Sequence, residues 1–292
     1  MKKLTALFLA AALVFGLAAC GGSKDFALET MDDGQVVLTK YAGSAKKVRI
    51  PKGVTAIGDE AFKGCKELTR VTIPEGVTAI GYSAFSGCKA LESVKLPKSL
   101  VSIGSSAFVK CYKLRSIALP ENLTTIEDYA FWCSGLEYVK IPDSVTELGD
   151  TAFANCSLRV VAIGSGLTSI SDHAFERSGL YEITIPDTIT SIGSSAFEGC
   201  EYLHTVSLGS GLTEIGYDCF SLCHALRSIT IPDSVTSIGH GVFCTREQDL
   251  KVTYKGKTYT TRYSHTASDP YLTTGVSIYV IEPALYRAVN GE

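Results

Sequence analysis

Residues 50–74 read IPKGVTAIGDEAFKGCKELTRVTIP, and residues 73–97 follow in the same metre as IPEGVTAIGYSAFSGCKALESVKLP. Scanning outward from this pair, an Ala-Phe or close relative ends at Phe62, Phe85, Phe108, Phe131, Phe153, Phe175, Phe197, Phe220 and Phe243, in steps of 23, 23, 23, 22, 22, 22, 23 and 23. Nine units therefore share one register. A unit of this length cannot bury its own apolar side, so each coil must be covered by the next, which makes the array a quasi-one-dimensional solenoid.

Within a unit, LxxVxI, as in Leu68 to Ile73, alternates at Val71, Thr72 and Ile73 as a half-buried strand does. Stacked copies predict a parallel sheet, and at about 4.8 Å per strand nine coils extend roughly 43 Å. Proline after the strand, as at Pro74 or Pro142, removes a backbone donor and ends the pairing. Gly58, Gly81 and Gly104 then predict a turn into a short helical or 3-10 segment that buries Ala and Phe. The expected fold class is a β-rich α/β solenoid with a parallel sheet on one face, short helical or 3-10 turns on the other, and β caps.

The consensus IPxxVTxIGxxAFxGCxxLxxVxIP, from Ile50 to about Ile231, resembles the BspA-like branch of the leucine-rich repeats. The resemblance implies a leucine-rich-repeat solenoid and an adhesin-like protein of the bacterial surface that attaches to host or neighbouring-cell components. The chain departs from the common leucine-rich pattern where an Asn ladder is expected. Gly53, Gly76, Ser99, Asn122, Ser144, Gly166, Thr188, Gly211 and Ser234 fill that column, and only Asn122 conforms. A threonine column (Thr55, Thr78, Thr124, Thr146, Thr168, Thr190, Thr213, Thr236, broken by Val101) supplies either hydrogen bonds or β propensity instead.

Open solenoids need caps to hide their end faces. The repeats occupy residues 46–254. Residues 26–45 predict an N-terminal hairpin cap, with Phe26-Ala27-Leu28 and Val36-Val37-Leu38 around Asp33-Gly34. Residues 255–292 predict a β-rich C-terminal cap, including the alternating run Val276 to Ile281.

Ahead of the fold stand Met1-Lys2-Lys3 and an apolar stretch from Leu4 to Ala19, the layout of a signal peptide (residues 1–19). Sixteen residues are short for a transmembrane helix, which takes roughly 20. The ending Leu17-Ala18-Ala19-Cys20 resembles the lipobox of bacterial lipoproteins, which implies a diacylated Cys20 as the mature N-terminus, with residues 20–25 as the lipidated cysteine and its tether. The expected location is exported and lipid-anchored to the bacterial membrane, at the cell surface or outer membrane, with membrane contact through the lipid alone.

Composition narrows the function classes. Lys and Arg number 27 against 30 Asp and Glu, a formal net charge of −3 without a long run of one sign, so no nucleic-acid partner is expected. Apolar residues make up 46% and are spread evenly, which argues for an ordered chain.

Ten cysteines in an exported chain would ordinarily suggest disulfides. Here Cys65, Cys88, Cys111, Cys156, Cys200 and Cys223 each stand three residues after the repeat Phe, Cys133 stands two after, and Ser178 shares the main column. Small interchangeable residues in one stacked position predict a buried ladder of reduced thiols. Coils 4.8 Å apart also exceed the 3.5–4.5 Å between β-carbons that a disulfide prefers. One C-terminal disulfide, involving Cys219 or Cys244, stays open. No CxxC or HxxxH pair occurs, so no metal site is expected, and Cys219, Cys223 and His224 are explained by the repeat columns. His173, His204, His224, His240 and His265 fall in different columns, none beside a distinctive acid, and no GxSxG or phosphate-binding motif occurs. No catalytic residue and no cofactor is assigned, and the chain is read as not an enzyme.

Partner information must then reside in outward positions that vary between coils. Two columns flank the strand valine: Lys47, Arg70, Ser93, Ser116, Tyr138, Val160, Glu182, Thr205, Ser228; and Arg49, Thr72, Lys95, Ala118, Lys140, Ala162, Thr184, Ser207, Thr230. They form basic, apolar and hydroxyl-rich zones. Tyr138 and Val160, with Arg70, Lys95 and Lys140 to one side, are the candidate ligand-binding residues for a host or neighbouring-cell protein or glycan; the alternative is a solvated face whose charges serve solubility and edge protection. The apolar zone coincides with the 22-residue coils, whose missing residue lies between the Phe and the next Leu and predicts a differently shaped groove. Exposed aromatics on the turns, Tyr82, Tyr112, Trp132, Tyr202 and Tyr217, offer a second surface. Two rival functions remain at this point: a periplasmic or envelope scaffold with no host partner, and an accessory subunit of an enzyme complex with its site in residues 255–292.

Overall fold

The structure, a computed structural model, describes residues 23–244, 250–261 and 283–291. Cys20, the signal-like N-terminus, His265 and the run Val276 to Ile281 lie outside the described residues. Nine coils stack as the repeat requires. The LxxVxI segments pair in parallel at the repeat offset: Lys47 opposite Arg70 opposite Ser93, Tyr138 opposite Val160, and Glu182 opposite Thr205. The sheet is not continuous. Between Ser93–Lys95 and Tyr138–Lys140 only the bridge Ser116 to Tyr138 carries it, and it breaks again between Val160–Ala162 and Glu182–Thr184.

A second parallel sheet, absent from the expected fold class, is built by VTxI. Its two-residue strands run from Ala56–Ile57 through Ala79–Ile80, Ser102–Ile103, Thr125–Ile126 and Glu147–Leu148, and resume at Ser169–Ile170 as far as Ser237–Ile238. Ile57, Ile80, Ile103 and their equivalents point inward. The threonine column beside them is a hydrogen-bonding one: the hydroxyls of Thr124, Thr190 and Thr213 donate to the carbonyls of Val101, Thr168 and Thr190 in the preceding coil, at 3.2, 3.1 and 2.9 Å. In the column where an Asn ladder was sought, Ser99, Ser144 and Ser234 donate to Val77, Leu123 and Leu212, and Asn122 to Lys98.

The expected helical or 3-10 segment is replaced by nested β-turns, for a reason visible in the backbone. Ala61, Lys63 and Cys65 donate back to Gly58, Glu60 and Phe62, while the alternate amides of Glu60, Phe62 and Gly64 donate to Tyr82, Ala84 and Ser86 of the next coil at 2.7–2.8 Å. A helix would direct every amide along its own chain. Turning half of them toward the neighbour requires left-handed residues, and Glu60, Ser83, Ser106, Tyr129, Thr151, His173, Ser195 and Asp218 all have φ between 51 and 60°. Left-handed backbone costs a non-glycine residue about 1–2 kcal/mol. An intercoil hydrogen bond at each such position offsets that cost.

Inside, the repeat phenylalanines form one stack. Neighbouring rings from Phe62 to Phe243 lie 4.9–6.0 Å apart and within 14° of parallel. Beside them runs the thiol column: Cys88, Cys111, Cys156, Cys200 and Cys223 donate to the carbonyls of Phe62, Phe85, Phe131, Phe175 and Phe197 at 3.1–3.3 Å. Where serine replaces cysteine, Ser134 and Ser178 lie 3.3 Å from the sulfurs of Cys156 and Cys200. Cys65, Cys88, Cys111, Cys133, Cys156, Cys200, Cys219 and Cys223 are reduced thiols. Cys65 and Cys133 are only half-buried, Cys65 because its coil is the first and Cys133 because it is one residue out of column.

The ends are closed by different devices. Phe26–Thr30 and Val36–Tyr41 pair antiparallel, and Val37 and Leu38 then pair in parallel with Ala56 and Ile57, so the hairpin is the first strand of the second sheet. Tyr41 stacks on Phe62 at 5.0 Å and continues the aromatic column. At the other end Leu250–Tyr254 extends the first sheet and Lys257–Thr261 folds back on it. The C-terminal segment, expected to be β-rich, also contributes a helix, Pro283–Asn290. Its Leu285 and Val289 are buried, and the Asn290 side chain both accepts from the Ile238 amide (2.9 Å) and donates to the Ile238 carbonyl (3.1 Å). One side-chain amide thus stands in for the missing next strand, which is what an open sheet edge needs.

Candidate recognition surface

The interior columns are uniform because every coil must fit the same neighbours. Only outward columns are free to differ. On the LxxVxI sheet the alternation places both flanking columns outward, and the expected patch is assembled in part. Tyr138 and Val160 face each other across adjacent strands at 47% and 44% exposure. Lys140 lies opposite Ala162 on the same pair, but its ammonium is 3.2 Å from Glu121, so one of the three cations is engaged. Arg70 and Lys95 are exposed on the strands Arg70–Thr72 and Ser93–Lys95; Lys95 shares the Lys140 column two coils away, about 10 Å along the axis. They belong to the basic zone rather than to the apolar pair.

The 22-residue coils do produce a concavity, at the edge where the turns enter the sheet and not around Tyr138. Ser157 and Gly179 sit on turns one residue shorter than the following Cys200-Glu201-Tyr202, and the step leaves a cavity of about 700 Å3 walled by Arg159, Arg177, Tyr181 and Tyr202. Tyr181 and Tyr202, 5.9 Å apart and tilted, are exposed at 43% and 58%. Tyr181 was missed because it occupies the column after Leu, where Arg159 and His204 precede and follow it. Elsewhere on the turns, Lys89 lies over Tyr112 at 5.9 Å and Lys110 over Trp132 at 5.3 Å, so two of the five turn aromatics are covered by side chains of the preceding coil.

One histidine departs from expectation. His173 Nδ1 lies 3.0 Å from Glu176 Oε2, and with Glu198 of the next coil the ligand atoms fall within 4.8 Å of one another. Arg177 Nε lies 3.4 Å from the other Glu176 oxygen, which makes the group an ion-pair cluster on the turn side. The remaining titration feature is buried: loss of solvation pushes the thiols of Cys111 and Cys156 up to about 12 and that of Cys200 to about 11, and raises Cys219 and Cys223 well above the ordinary range. Such thiols are inert packing groups.

Against known proteins, residues 40–159 and 129–250 match the BspA type leucine rich repeat region in six copies. The chain belongs to the BspA-type leucine-rich repeat family. A leucine-rich repeat protein from Bacteroides ovatus is similar in structure, with 30% identity and a TM-score of 0.71 over 79% of this chain and 66% of its own. The Treponema pallidum leucine rich repeat protein is 30% identical with a TM-score of 0.57, over 70% of this chain and 88% of its own. No curated protein matches the chain. Among the described residues, no helix is long and apolar enough to cross a membrane.

Proposed function

We propose that this repeat protein is an exported, lipid-anchored recognition protein, adhesin-like, held at the bacterial surface through Cys20 and binding a protein or glycan with its LxxVxI sheet face. The supporting observation is the pair Tyr138 and Val160. Two large apolar side chains stand opposite each other, nearly half exposed, on a face whose neighbouring zones are basic and hydroxyl-bearing. As a cross-strand pair they add at most about 1 kcal/mol to the sheet, less than burying either side chain would, whereas aromatic anchors in a polar surround are what binding faces use.

The test is a binding screen of purified residues 21–292 against extracellular-matrix proteins, mucins and glycans, alongside a Tyr138→Ala, Val160→Ser double variant. Loss of both anchors is expected to weaken binding about tenfold or more. Equal binding by the two proteins removes the patch from the reading. Protease added to intact cells checks location: repeats that stay protected exclude the surface.

A further inference from the structure

The near-neutral balance of the whole chain conceals a strong polarity along the axis. Residues 46–120 contain thirteen Lys and Arg against five Asp and Glu, a net of +8, whereas residues 121–244 contain four against sixteen, a net of −12. The first half of the rod is basic and the second acidic. A windowed charge count would have found this from sequence; the overall net of −3 does not.

On the sheet face the basic half is organised. Lys47, Arg49, Arg70 and Lys95 all point outward on three consecutive strands, with Lys47 directly opposite Arg70, and no acid occupies either outward column there. Among the described residues none of the four forms an ion pair. Like charges directly opposite destabilise a sheet. Edge protection accounts at most for Lys47, Arg49 and Lys95 on the outer strands, and not for Arg70, which stands on the middle strand and points away from the face. Removing these charges would relieve repulsion, so their arrangement answers to something outside the fold.

Resting on the reading of this sheet as the recognition face, we propose that the basic coils bind a linear polyanionic glycan, one bearing sulfate or carboxylate groups, laid along the solenoid axis. The cations occupy two columns about 7 Å apart and step along the axis at about 4.8 Å per coil, so the three strands present a patch roughly 7 by 10 Å, the footprint of a short stretch of one extended polymer. The strip leads directly toward Tyr138, whose exposed ring offers a stacking face for a sugar farther along the chain. A planar anionic membrane lying against the same side would gain no charge attraction beyond those strands, where the outward columns turn apolar and hydroxyl-bearing, with Glu182 among them and Lys140 held by Glu121. The anionic groups of the polymer are held on the first three coils, and its next sugars reach Tyr138 on the fifth.

Residues 21–292 are titrated with heparin as the sulfated probe, with neutral dextran and with phosphatidylglycerol-containing vesicles, at several salt concentrations. The comparison proteins are a Lys47→Gln, Arg49→Gln, Arg70→Gln, Lys95→Gln variant and the Tyr138→Ala, Val160→Ser variant. Heparin binding is expected to fall steeply with salt, and the fourfold variant to bind at least 30-fold more weakly at 0.1 M salt with a salt slope shallower by about 3, roughly 0.7–0.9 of a released ion for each of the four lost contacts. Its melting temperature is expected to be unchanged or raised, which separates lost binding from lost folding. Equal heparin affinity of wild type and fourfold variant, no heparin binding at low salt, or vesicle binding as strong as heparin binding each overturns the inference. Failure with heparin while the Tyr138 variant loses affinity for a matrix protein leaves the recognition face standing and removes only the polyanion.

Discussion

Phe131→Ala is expected to destabilise the solenoid by about 3–5 kcal/mol, the cost of truncating a fully buried phenylalanine. The ring has no exposed surface and is stacked on both sides, 5.2 Å from Phe108 and 5.1 Å from Phe153, each within 4° of parallel. Its removal therefore opens a void at two intercoil interfaces at once, and the flanking rings cannot close it without leaving their own stacks. Because stability in such an array is a sum of coil and nearest-neighbour terms, weakening a central interface is also expected to divide a single denaturant transition into two. Phe243→Ala makes the internal comparison: among the described residues that ring stacks on one side alone, on Phe220 at 6.0 Å, and a smaller loss is expected there. A loss at Phe131 below about 1.5 kcal/mol, or one no larger than at Phe243, would show that the aromatic column is not a principal source of intercoil cohesion.

The second large effect is alkaline. Cys111, Cys156 and Cys200 have thiols raised from an ordinary 9.0 to about 12, 12 and 11 by loss of solvation. Below pH 9 both the folded and unfolded chains keep these protons, and stability is intact. Between pH 9 and about 11 the unfolded chain releases protons that the folded chain retains, so stability is lost at about 1.4 kcal/mol per pH unit for each thiol, or about 4 kcal/mol per unit for the three. Set against a typical domain stability of about 5–15 kcal/mol, the loss of about 8 kcal/mol over two pH units removes a large share of what holds the array together. Melting temperatures from pH 8 to 11 in reductant check this, with Cys111→Ser, Cys156→Ser, Cys200→Ser as the comparison. Serine already fills the column at Ser134 and Ser178, so the variant is expected to fold and to lose about 4 kcal/mol per pH unit of the wild-type slope. Parallel slopes would place the alkaline sensitivity elsewhere.

The repeat made the coil count, the inward columns and the first sheet legible, since any residue recurring every 22 or 23 positions must meet its own copies. The second sheet was hidden because its strands are two residues long, too short for alternation to register. The turn was misread as helical because Ala-Phe followed by a small residue suits a helix, while the competing demand, amides aimed at the next coil, belongs to no single coil. The outward columns were correctly placed by alternation, and Tyr138 and Val160 do stand together. Yet Lys140 proved to be held by Glu121, nineteen positions earlier in sequence. The groove expected from the short coils lies at Arg159 and Tyr181, because a deletion acts where the turn meets the strand.

What the sequence determined by itself is the solenoid: a periodic apolar pattern has one way to hide its surface, which is to stack on its own copies. It also determined which side chains face outward, because strand alternation fixes that without reference to any neighbour. Tertiary structure alone decided how the backbone between the strands is satisfied, how Asn290 closes the last sheet edge, and which of the outward charges form no ion pair among the described residues. Those outcomes depend on distances between coils and caps that no segment of the chain encodes locally, and it is such cations on consecutive strands, rather than the repeat itself, that point to a class of ligand.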